Sequence, residues 1–362
     1  MHGQRFCWCV IAALAISSLP GVAQDIDQRQ LERIEQTLRQ EGQAVIALAD
    51  AAEAGHAHAA DFAIDWHHDF FKAQAGTFVP FIVSLPGREL RVPAVLLYVR
   101  LTRLGAATAR YAGRDGRPDR NHGPAYDVEE IYPVDVPDAS GTVRISRGVS
   151  AQPGDYDLTV VVRERERPEV RGRRRAAVLQ RLLHVPDFGG GQLTTSTIIL
   201  ADRLTPLPAA PPPAALLARP YVIGTHEVAR RLDPVFGRGE ELIVVFLVYH
   251  PAVTRDKHFD LEVEYHFFEA AGAAGRGDDL APGDPLPAAQ PGERYVNRTA
   301  PQRFNPLVLD PQFEPSTGQP LLAGQRVPLA EFAAGDYRLA ITVTDLVAGR
   351  TIARQVYFSV RP

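Results

Sequence analysis

The sequence predicts a mainly β protein: two tandem immunoglobulin-like β-sandwich domains with an N-terminal helical segment. From Thr77 onward, apolar residues recur with the two-residue period of strands, between turns rich in Gly, Pro and Asp. The segment GDYDLTVVV at 154–162 returns as GDYRLAITV at 335–343, so each copy stands late in its own half. The length of 362 residues fits about two domains.

The repeat predicts a tyrosine corner in each domain. In both copies Gly makes the corner, and Tyr156 or Tyr337 starts an alternating apolar face. A tyrosine at this place can fold its hydroxyl back onto the chain, as in immunoglobulin-like sandwiches. We therefore interpret both tyrosines as structural.

Residues 1–23 have the pattern of a secretory signal peptide: an Arg, a short apolar run and small residues before an expected cleavage at Gln24. The run is shorter than the ~20 residues of a membrane span, and Pro20 interrupts it. Cys7 and Cys9 leave with the signal, so we expect no disulfide and no thiol chemistry. The sequence predicts an exported protein, periplasmic or extracellular, with no transmembrane segment after cleavage.

After the signal, composition and periodicity predict four regions. Leucine and isoleucine recur at helical spacing from Asp25 to about Gly55, and six prolines crowd residues 206–220. Residues 270–293 are mostly Ala, Gly, Pro and Asp, so we expect a loop there. The predicted regions are a helical N-terminal segment (24–75), a first β-sandwich (76–205), a proline-rich linker (206–219) and a second β-sandwich (220–362).

The strongest charge feature is the sequence RERERPEVRGRRR at 163–175, the predicted tip of a β-hairpin. Arginine binds carboxylates and phosphates through two parallel hydrogen bonds. We predict an anion- or partner-binding site at Arg171, Arg173, Arg174 and Arg175, with a solvated hairpin as the alternative. On either interpretation these arginines are surface residues, whose neutralisation leaves folding untouched.

Two other clusters contain residue types that occur in catalytic or metal sites. Four histidines and three aspartates lie close in sequence, and imidazole with carboxylate suits Zn²⁺, but their spacing matches no zinc motif. We interpret that cluster as a solvated helix and linker, and predict no metal and no cofactor. Its members are His56, His58, His67, His68, Asp61, Asp65 and Asp69.

Asp260, Glu262 and Glu264 alternate along one predicted strand. Neighbours two residues apart on a strand are ~6.6 Å apart, which is compatible with acid–base chemistry on glycosides. The same alternation is typical of a strand whose acidic face meets water. Both interpretations stay open.

Several segments together resemble a known family. They include LLYVR, LHVPDF and LTTSTIILADRLTPL in the first half, and EELIVVFLVYH, FDLEVEYHFFEA and LVLDPQFEPSTGQPLLAGQRVPLAEFAAGDYRLAITVTD in the second. In this order they resemble the C-terminal region of secreted acidobacterial von Willebrand factor A-related proteins, over roughly 69–362. The resemblance implies export and a β-rich tail module. The von Willebrand A domain itself is missing, and the nearest string to its metal motif, residues 138–142, is interpreted as a turn.

The predicted function is an exported, non-catalytic interaction or accessory module of the bacterial cell envelope. Its expected partner is an envelope protein or an anionic glycan. A net charge of −4 gives no electrostatic attraction to nucleic acid. The alternatives are a secreted glycan-acting hydrolase that uses Glu262 and Glu264, and a detached tail that pairs with a separate von Willebrand A-type protein. The oligomeric state stays open.

Overall fold

The computed structural model describes residues 28–56, 59–105, 126–167, 170–270, 289–309 and 313–362. The predicted signal peptide and most of the predicted loop at 270–293 lie outside these ranges. The described chain is mainly β, with its strands arranged in four sheets. None of the helices in these ranges has both the length and the apolar character that crossing a membrane requires.

The N-terminal half starts with helix α1 (Gln28–Glu53), and a 3₁₀ turn (Gly87–Glu89) separates its third and fourth strands. Its strands are β1 (Asp65–His68), β2 (Phe71–Lys72), β3 (Thr77–Pro86), β4 (Ala94–Arg103), β5 (Val128–Asp135), β6 (Thr142–Ala151), β7 (Gly154–Glu164) and β8 (Ala176–Val185).

The C-terminal half contains a short helix α2 (Pro213–Leu216) and a 3₁₀ turn (Pro315–Thr317). Its strands are β9 (Thr194–Thr195), β10 (Ile199–Pro206), β11 (Val222–Ile223), β12 (His226–Arg230), β13 (Val235–Gly237), β14 (Glu241–Tyr249), β15 (Leu261–Ala270), β16 (Glu293–Arg298), β17 (Gln302–Phe304), β18 (Leu321–Pro328), β19 (Gly335–Asp345) and β20 (Arg350–Arg361).

Each half forms two sheets. Sheet 1 has the strand order β5-β4-β7-β8, and in sheet 2 the strand β3 pairs with β1, β2 and β6. Sheet 3 has the order β11-β12-β10-β14-β18 with β9 on β14, and sheet 4 has the order β13-β20-β19-β15-β16 with β17 on β15. The described pairs are antiparallel except β13 with β20, which is parallel.

Alternation along the strands gives each pair of sheets its own core. Val79 and Phe81 of β3 are buried between sheets 1 and 2. Val244 and Phe246 of β14 are buried between sheets 3 and 4. Because neighbouring side chains on a strand point to opposite faces, the residues between these leave both cores.

The residues on those opposite faces form a third cluster, between sheets 2 and 3. It contains Ile82 of β3 together with Ile243, Val245 and Leu247 of β14. Strand β14 is thus buried on both faces, which explains its uninterrupted apolar sequence. The molecule is a stack of layers in the order α1, sheet 1, sheet 2, sheet 3 and sheet 4.

Polar contacts reinforce the junction between sheets 2 and 3. Asp69 is fully buried there and accepts hydrogen bonds from the Tyr221 hydroxyl at 2.9 Å and the Arg230 guanidinium. The backbone N–H of Lys72 donates to the Tyr249 hydroxyl at 3.0 Å. Since a buried charge is costly without partners, these contacts help to fix the two halves to each other.

Helix α1 covers the outer face of sheet 1. Val45 and Ala49 are fully buried on that face. Arg100 of β4 is also fully buried and donates to Asp50 at 2.7 Å and to Glu53 at 3.1 Å, both on the helix. The helix is therefore an integral layer of the fold.

Two predicted boundaries differ from the structure. The predicted helical segment 24–75 is helical over Gln28–Glu53, whereas Asp65–His68 and Phe71–Lys72 are strands, because pairing with β3 overrides local helix propensity. The predicted end of the first domain at 205 falls inside β10, which pairs with β14 of the C-terminal half. The predicted linker 206–219 then connects β10 to β11 within sheet 3, and the chain passes between the halves at 186–193.

Both tyrosines of the repeat form the predicted corner. Tyr156 and Tyr337 are buried at the starts of β7 and β19, in different sheets and different cores. Each hydroxyl donates a hydrogen bond of 2.8 Å to the carbonyl four residues upstream, that of Gln152 or Ala333. The structural interpretation of the repeat is confirmed.

Candidate functional site at the loop end of sheets 3 and 4

Five segments meet where β14 and β19 end and β15 begins. Leu261, the first residue of β15, lies opposite both Phe304, the last residue of β17, and Asp345, the last residue of β19. The connections that follow or precede these strands therefore emerge at one end. We call this surface the loop end; it comprises residues 189–193, 250–260, 305–309, 313–316 and 345–350.

Asp345 organises the loop end from inside. Its side chain is almost completely buried. One carboxylate oxygen accepts from the backbone N–H groups of Val347 (3.0 Å) and Ala348 (2.9 Å), and the other accepts from Ala252 (2.6 Å). A single carboxylate thus joins the β19–β20 hairpin to the β14–β15 loop, and satisfies three backbone donors that would otherwise be unpaired.

The β14–β15 loop holds unusual backbone. His250 (φ 55°) and Lys257 (φ 59°) are the non-glycine residues with positive φ in the described part of the chain. Side chains with a Cβ adopt this region rarely, and such residues cluster where the surrounding structure enforces them. His250 is fixed by a 2.9 Å contact between its Nε2 and the Phe188 carbonyl.

A cavity of about 290 Å³ opens at the loop end. Its wall is mixed: Leu193, Pro251 and Val253 are apolar, and His250 and Ser316 are polar. Arg350 adds a cationic group, which donates to the Gln192 side chain at 3.2 Å. The loop end therefore has a recess with both polar and apolar groups in its wall.

Aliphatic side chains are exposed on the segments of the loop end. Leu307 is 95% exposed and Val308 is 64% exposed; Leu346 and Val347 of the β19–β20 hairpin are exposed as well. In the described ranges, nine large apolar residues are exposed, and these four share one end of one half. Large apolar residues exposed at the same end of a fold indicate an interaction surface more strongly than scattered ones do.

The arginines predicted to bind an anion lie elsewhere, in the β7–β8 hairpin. Arg173 is exposed, but both of its terminal nitrogens donate to the Asp61 carboxylate, at 2.6 and 2.7 Å. Arg175 contacts Glu89 and the Asp61 carbonyl. Arg171 is exposed.

Arg174 is not the surface residue that the sequence indicates. It is buried, and it donates to Glu166 at 2.9 Å and to the carbonyls of Arg167 and Val170. Its Nη1 has no hydrogen-bond partner in the described chain. The expectation that all four arginines lie free on the surface is wrong; anion binding by the hairpin stays a prediction.

Buried carboxylates form ion pairs and hydrogen bonds with the hairpin and the segments beside it. Glu41 of α1 is buried and accepts from the Arg165 guanidinium at 3.0 Å. Glu164 is fully buried and accepts from the Arg91 guanidinium at 2.9 Å and the Arg175 backbone N–H at 2.9 Å. The positive charge of the hairpin is thus offset by acidic residues of neighbouring segments.

These contacts shift the acid strength of the carboxylates. The hydrogen bond from Arg173 lowers the pKa of Asp61 to about 2. Burial raises the pKa of Glu164, but hydrogen bonds from Arg91 and from backbone N–H groups outweigh it, and the net shift is downward. The pKa of Glu166 is lowered in the same way, through Arg163 and Arg174.

The histidine cluster is dispersed by the fold. Trp66 donates to His68 at 3.1 Å, and His67 lies 3.2 Å from Asp65. Of the remaining acids, Asp61 and Asp69 bind arginines, and His58 lies outside the described residues. Within the described ranges, no group of three or more His, Cys, Asp or Glu side chains is placed to hold a metal ion.

Glu262 and Glu264 stand on the face of β15 that points away from the core, since Leu261 and Val263 are in it. Glu264 pairs with Arg298 at 3.3 Å. Asp260 binds the Arg303 guanidinium, which lowers the pKa of that carboxyl. An ionised, paired carboxylate is unsuited to be a general acid, so Asp260 offers none; hydrolysis through Glu262 and Glu264 stays a prediction.

Sequence reasoning missed Leu307 and Val308. The signal was present: the apolar triplet Leu307–Leu309 follows Asn305 and Pro306, which favour a turn. Apolar side chains inside a turn have no buried sheet face on which to pack, so some of them stay exposed. Which of its three side chains packs inward, here Leu309, follows only from the fold.

No protein-family model matches the chain, and a search of curated proteins found no match. Solved structures give distant similarities. E. coli alpha-2-macroglobulin is 12% identical over 84% of this chain and 14% of its own, with a TM-score of 0.22. Salmonella alpha-2-macroglobulin reacted with methylamine is 14% identical over 83% and 15%, with a TM-score of 0.22. Red sea bream transglutaminase is 10% identical over 86% and 33%, with a TM-score of 0.20. The chain spans a third or less of these proteins.

Proposed function

We propose that the chain is an exported, non-catalytic interaction module of the bacterial cell envelope, built of two tandem immunoglobulin-like sandwiches. It binds its partner through the loop end. The observation that supports this function is the coincidence, at one end of one half, of exposed aliphatic side chains, a cavity and backbone held at positive φ. Loops presented by a rigid sheet scaffold are a common form of binding site.

The rest of the molecule suits a scaffold. Two-sided burial of β14 and the contacts of Asp69 fix one half on the other, so the loop end has a defined direction relative to α1. Of the six candidate carboxylates that the sequence offers, five are ion-paired with arginines. The resemblance to the tail of secreted von Willebrand factor A-related proteins agrees with export and with a non-catalytic role.

Retention on envelope material tests the proposal. The full chain is incubated with a membrane and wall fraction of the producing organism, and the bound fraction is measured by sedimentation. Replacing two anchors together, Leu307→Ser with Val308→Ser, is expected to weaken retention about tenfold or more, as the loss of interface anchors does.

Leu182→Ser is the matched control. Leu182 is 75% exposed on β8 of the N-terminal half, so its replacement changes the same residue type far from the loop end. It is expected to leave retention unchanged, and circular dichroism checks that both variants fold. Equal retention of the loop-end variant and the control would contradict the proposed function.

A further inference from the structure

Strand β8 is an outer strand of sheet 1. It pairs with β7 on one side along its whole length. On the other side its start is covered: the Val178 N–H donates to the Ala59 carbonyl at 2.9 Å, and the Ala176 carbonyl accepts from the Asp61 N–H at 2.9 Å. Because the backbone groups of alternate residues point to the same side of a strand, these contacts show which residues of β8 face away from β7.

The backbone of β8 forms an open edge from Gln180 to His184. By the same alternation, the N–H and C=O groups of Gln180, Leu182 and His184 point away from β7. In the part of the chain that the structure describes, no hydrogen bond joins these groups to another segment. All three residues are exposed, Leu182 to 75%. A row of exposed, unpaired backbone groups is a template on which another strand can pair.

Other long outer strands carry obstructions that the open edge of β8 lacks. Strand β5 contains Pro133, which has no N–H to donate. In β6 the Gly148 N–H donates to the Leu217 carbonyl at 3.0 Å, and in β18 the Gly324 carbonyl accepts from the Gln302 side chain at 3.0 Å. Proteins protect their sheet edges from pairing by such means. The open edge of β8 is therefore suited to accept an additional strand.

The sequence of the open edge is complementary to itself. When two copies of β8 pair antiparallel about Leu182, that residue lies opposite its own copy, an aliphatic cross-strand pair of the kind that stabilises sheets. Gln180 of one copy then lies opposite His184 of the other. Arg181 lies opposite Leu183, so this register sets no like charges against each other, which would destabilise the pair. The edge therefore fits a second copy of the same strand.

We propose that two copies of the chain pair along β8 and join their copies of sheet 1 into one continuous sheet. A pairing between identical strands is two-fold symmetric and uses both open edges, so assembly stops at the dimer. The open edge is short compared with a stable interface, so the dimer forms reversibly as concentration rises. This inference goes beyond the proposed function, because the loop end lies in the other half and takes no part in the pairing.

Sedimentation velocity of the purified full chain tests the dimer. Leu182→Pro removes an outward N–H that makes no internal hydrogen bond, so the variant keeps its ladder with β7. We expect the parent chain to shift from monomer to dimer as its concentration rises, and Leu182→Pro to associate about tenfold more weakly or less.

Leu182→Ser is the matched control for this substitution. It keeps the N–H and loses the aliphatic cross-strand pair, so we expect it to weaken association by about fivefold at most. Because its strand pairing persists, it also stays usable as the control for envelope retention. Equal loss of association in Leu182→Ser and Leu182→Pro would overturn the inference, because an apolar contact rather than strand pairing would then hold the copies together.

Amide hydrogen exchange of the parent chain gives a second measurement that needs no substitution. The amides of Leu182 and His184 should exchange several-fold more slowly at high than at low concentration. The amide of Leu183, which points toward β7, should not change. A parent chain that stays monomeric at every concentration, that assembles beyond the dimer, or whose Leu182 amide exchanges independently of concentration would overturn the inference. Association of Leu182→Pro as strong as that of the parent would overturn it too.

Discussion

The hairpins that follow the two GDY strands hold corresponding places in the two halves, yet their surfaces differ. Between β7 and β8, the arginines of the N-terminal hairpin are largely paired with carboxylates of α1, of a neighbouring loop and of the hairpin itself. Between β19 and β20, the C-terminal hairpin leaves Leu346 and Val347 exposed. A high density of charged residues therefore does not by itself make a binding surface. A charged side chain can bind a partner only if it is exposed and not already paired within the protein.

The comparison extends to the last residue of each GDY strand. Glu164 ends β7 and Asp345 ends β19, at the same 181-residue offset that separates the two tyrosines. Both carboxylates are buried, and both accept backbone N–H groups from the adjoining loops. Only Glu164 also accepts from an arginine side chain, that of Arg91. In both halves a buried carboxylate at the end of the GDY strand binds backbone N–H groups of the adjoining loops. The additional arginine contact occurs in the N-terminal half, where the arginines of the hairpin are ion-paired as well.

The largest expected effect tests whether the two corners are equivalent. Tyr156→Ala and Tyr337→Ala should each lower the free energy of unfolding by about 3–5 kcal/mol, since each removes a large buried aromatic side chain. Urea unfolding followed by circular dichroism measures the loss. A loss below about 1 kcal/mol at either position would break the equivalence of the corners.

Removing only the hydroxyl of each tyrosine distinguishes the two corners by the free energy that each hydroxyl contributes. The Tyr156 hydroxyl bonds the Gln152 carbonyl and also contacts Asp127 and Arg103, whereas the contact found for the Tyr337 hydroxyl is the Ala333 carbonyl. We expect Tyr156→Phe to cost about 1–3 kcal/mol, because several polar groups lose a partner, and Tyr337→Phe to cost about 1 kcal/mol. The same urea measurement decides, and equal costs would show that the extra contacts of Tyr156 contribute nothing.

Part of this structure could be predicted from the sequence, because period and turn residues are local signals. The mainly β class, the two corner tyrosines and the β7–β8 hairpin follow from alternation and from the GDY repeat. The pairing of Arg173 with Asp61 could not be predicted, since 112 residues separate the two side chains. For the same reason the pairing of β10 with β14 could not be predicted: an apolar pattern indicates that a strand is buried, but not against which strand.

A third prediction concerns Arg174 of the clamped hairpin. Arg174→Gln should cost about 1–3 kcal/mol, because Glu166 and two carbonyls lose a buried donor. Thermal unfolding measures the loss against the parent chain. An unchanged melting temperature would mean that the hairpin is not clamped through this residue.

Acid should loosen the same hairpin. Asp61, Glu164 and Glu166 have folded pKa values below their ordinary ones, so their stabilisation is complete above the unfolded values and is lost as pH falls through the folded values. We expect stability to drop from about pH 4.5 to about pH 2. In Asp61→Asn the drop should be smaller in a series of melting temperatures against pH, and an unchanged slope would contradict the role of the Arg173 contact.

The smallest expected effect is at Arg171, which is exposed and, unlike the exposed Arg173, has no ion pair within the described residues. Arg171→Gln should change the free energy of unfolding by less than about 0.5 kcal/mol, as is usual for surface positions. Because its guanidinium is exposed and pairs with no carboxylate of the described residues, it is also the position at which a loss of anion binding by the hairpin would be detected. If the loop end carries the binding, Arg171→Gln and the parent chain are retained equally on the envelope fraction at low salt. The double variant Leu307→Ser with Val308→Ser is then retained less than the parent. Weaker retention of the arginine variant than of the parent at low salt would return the binding surface to the N-terminal hairpin. The difference should then disappear at high salt, because screening weakens the parent's binding as well.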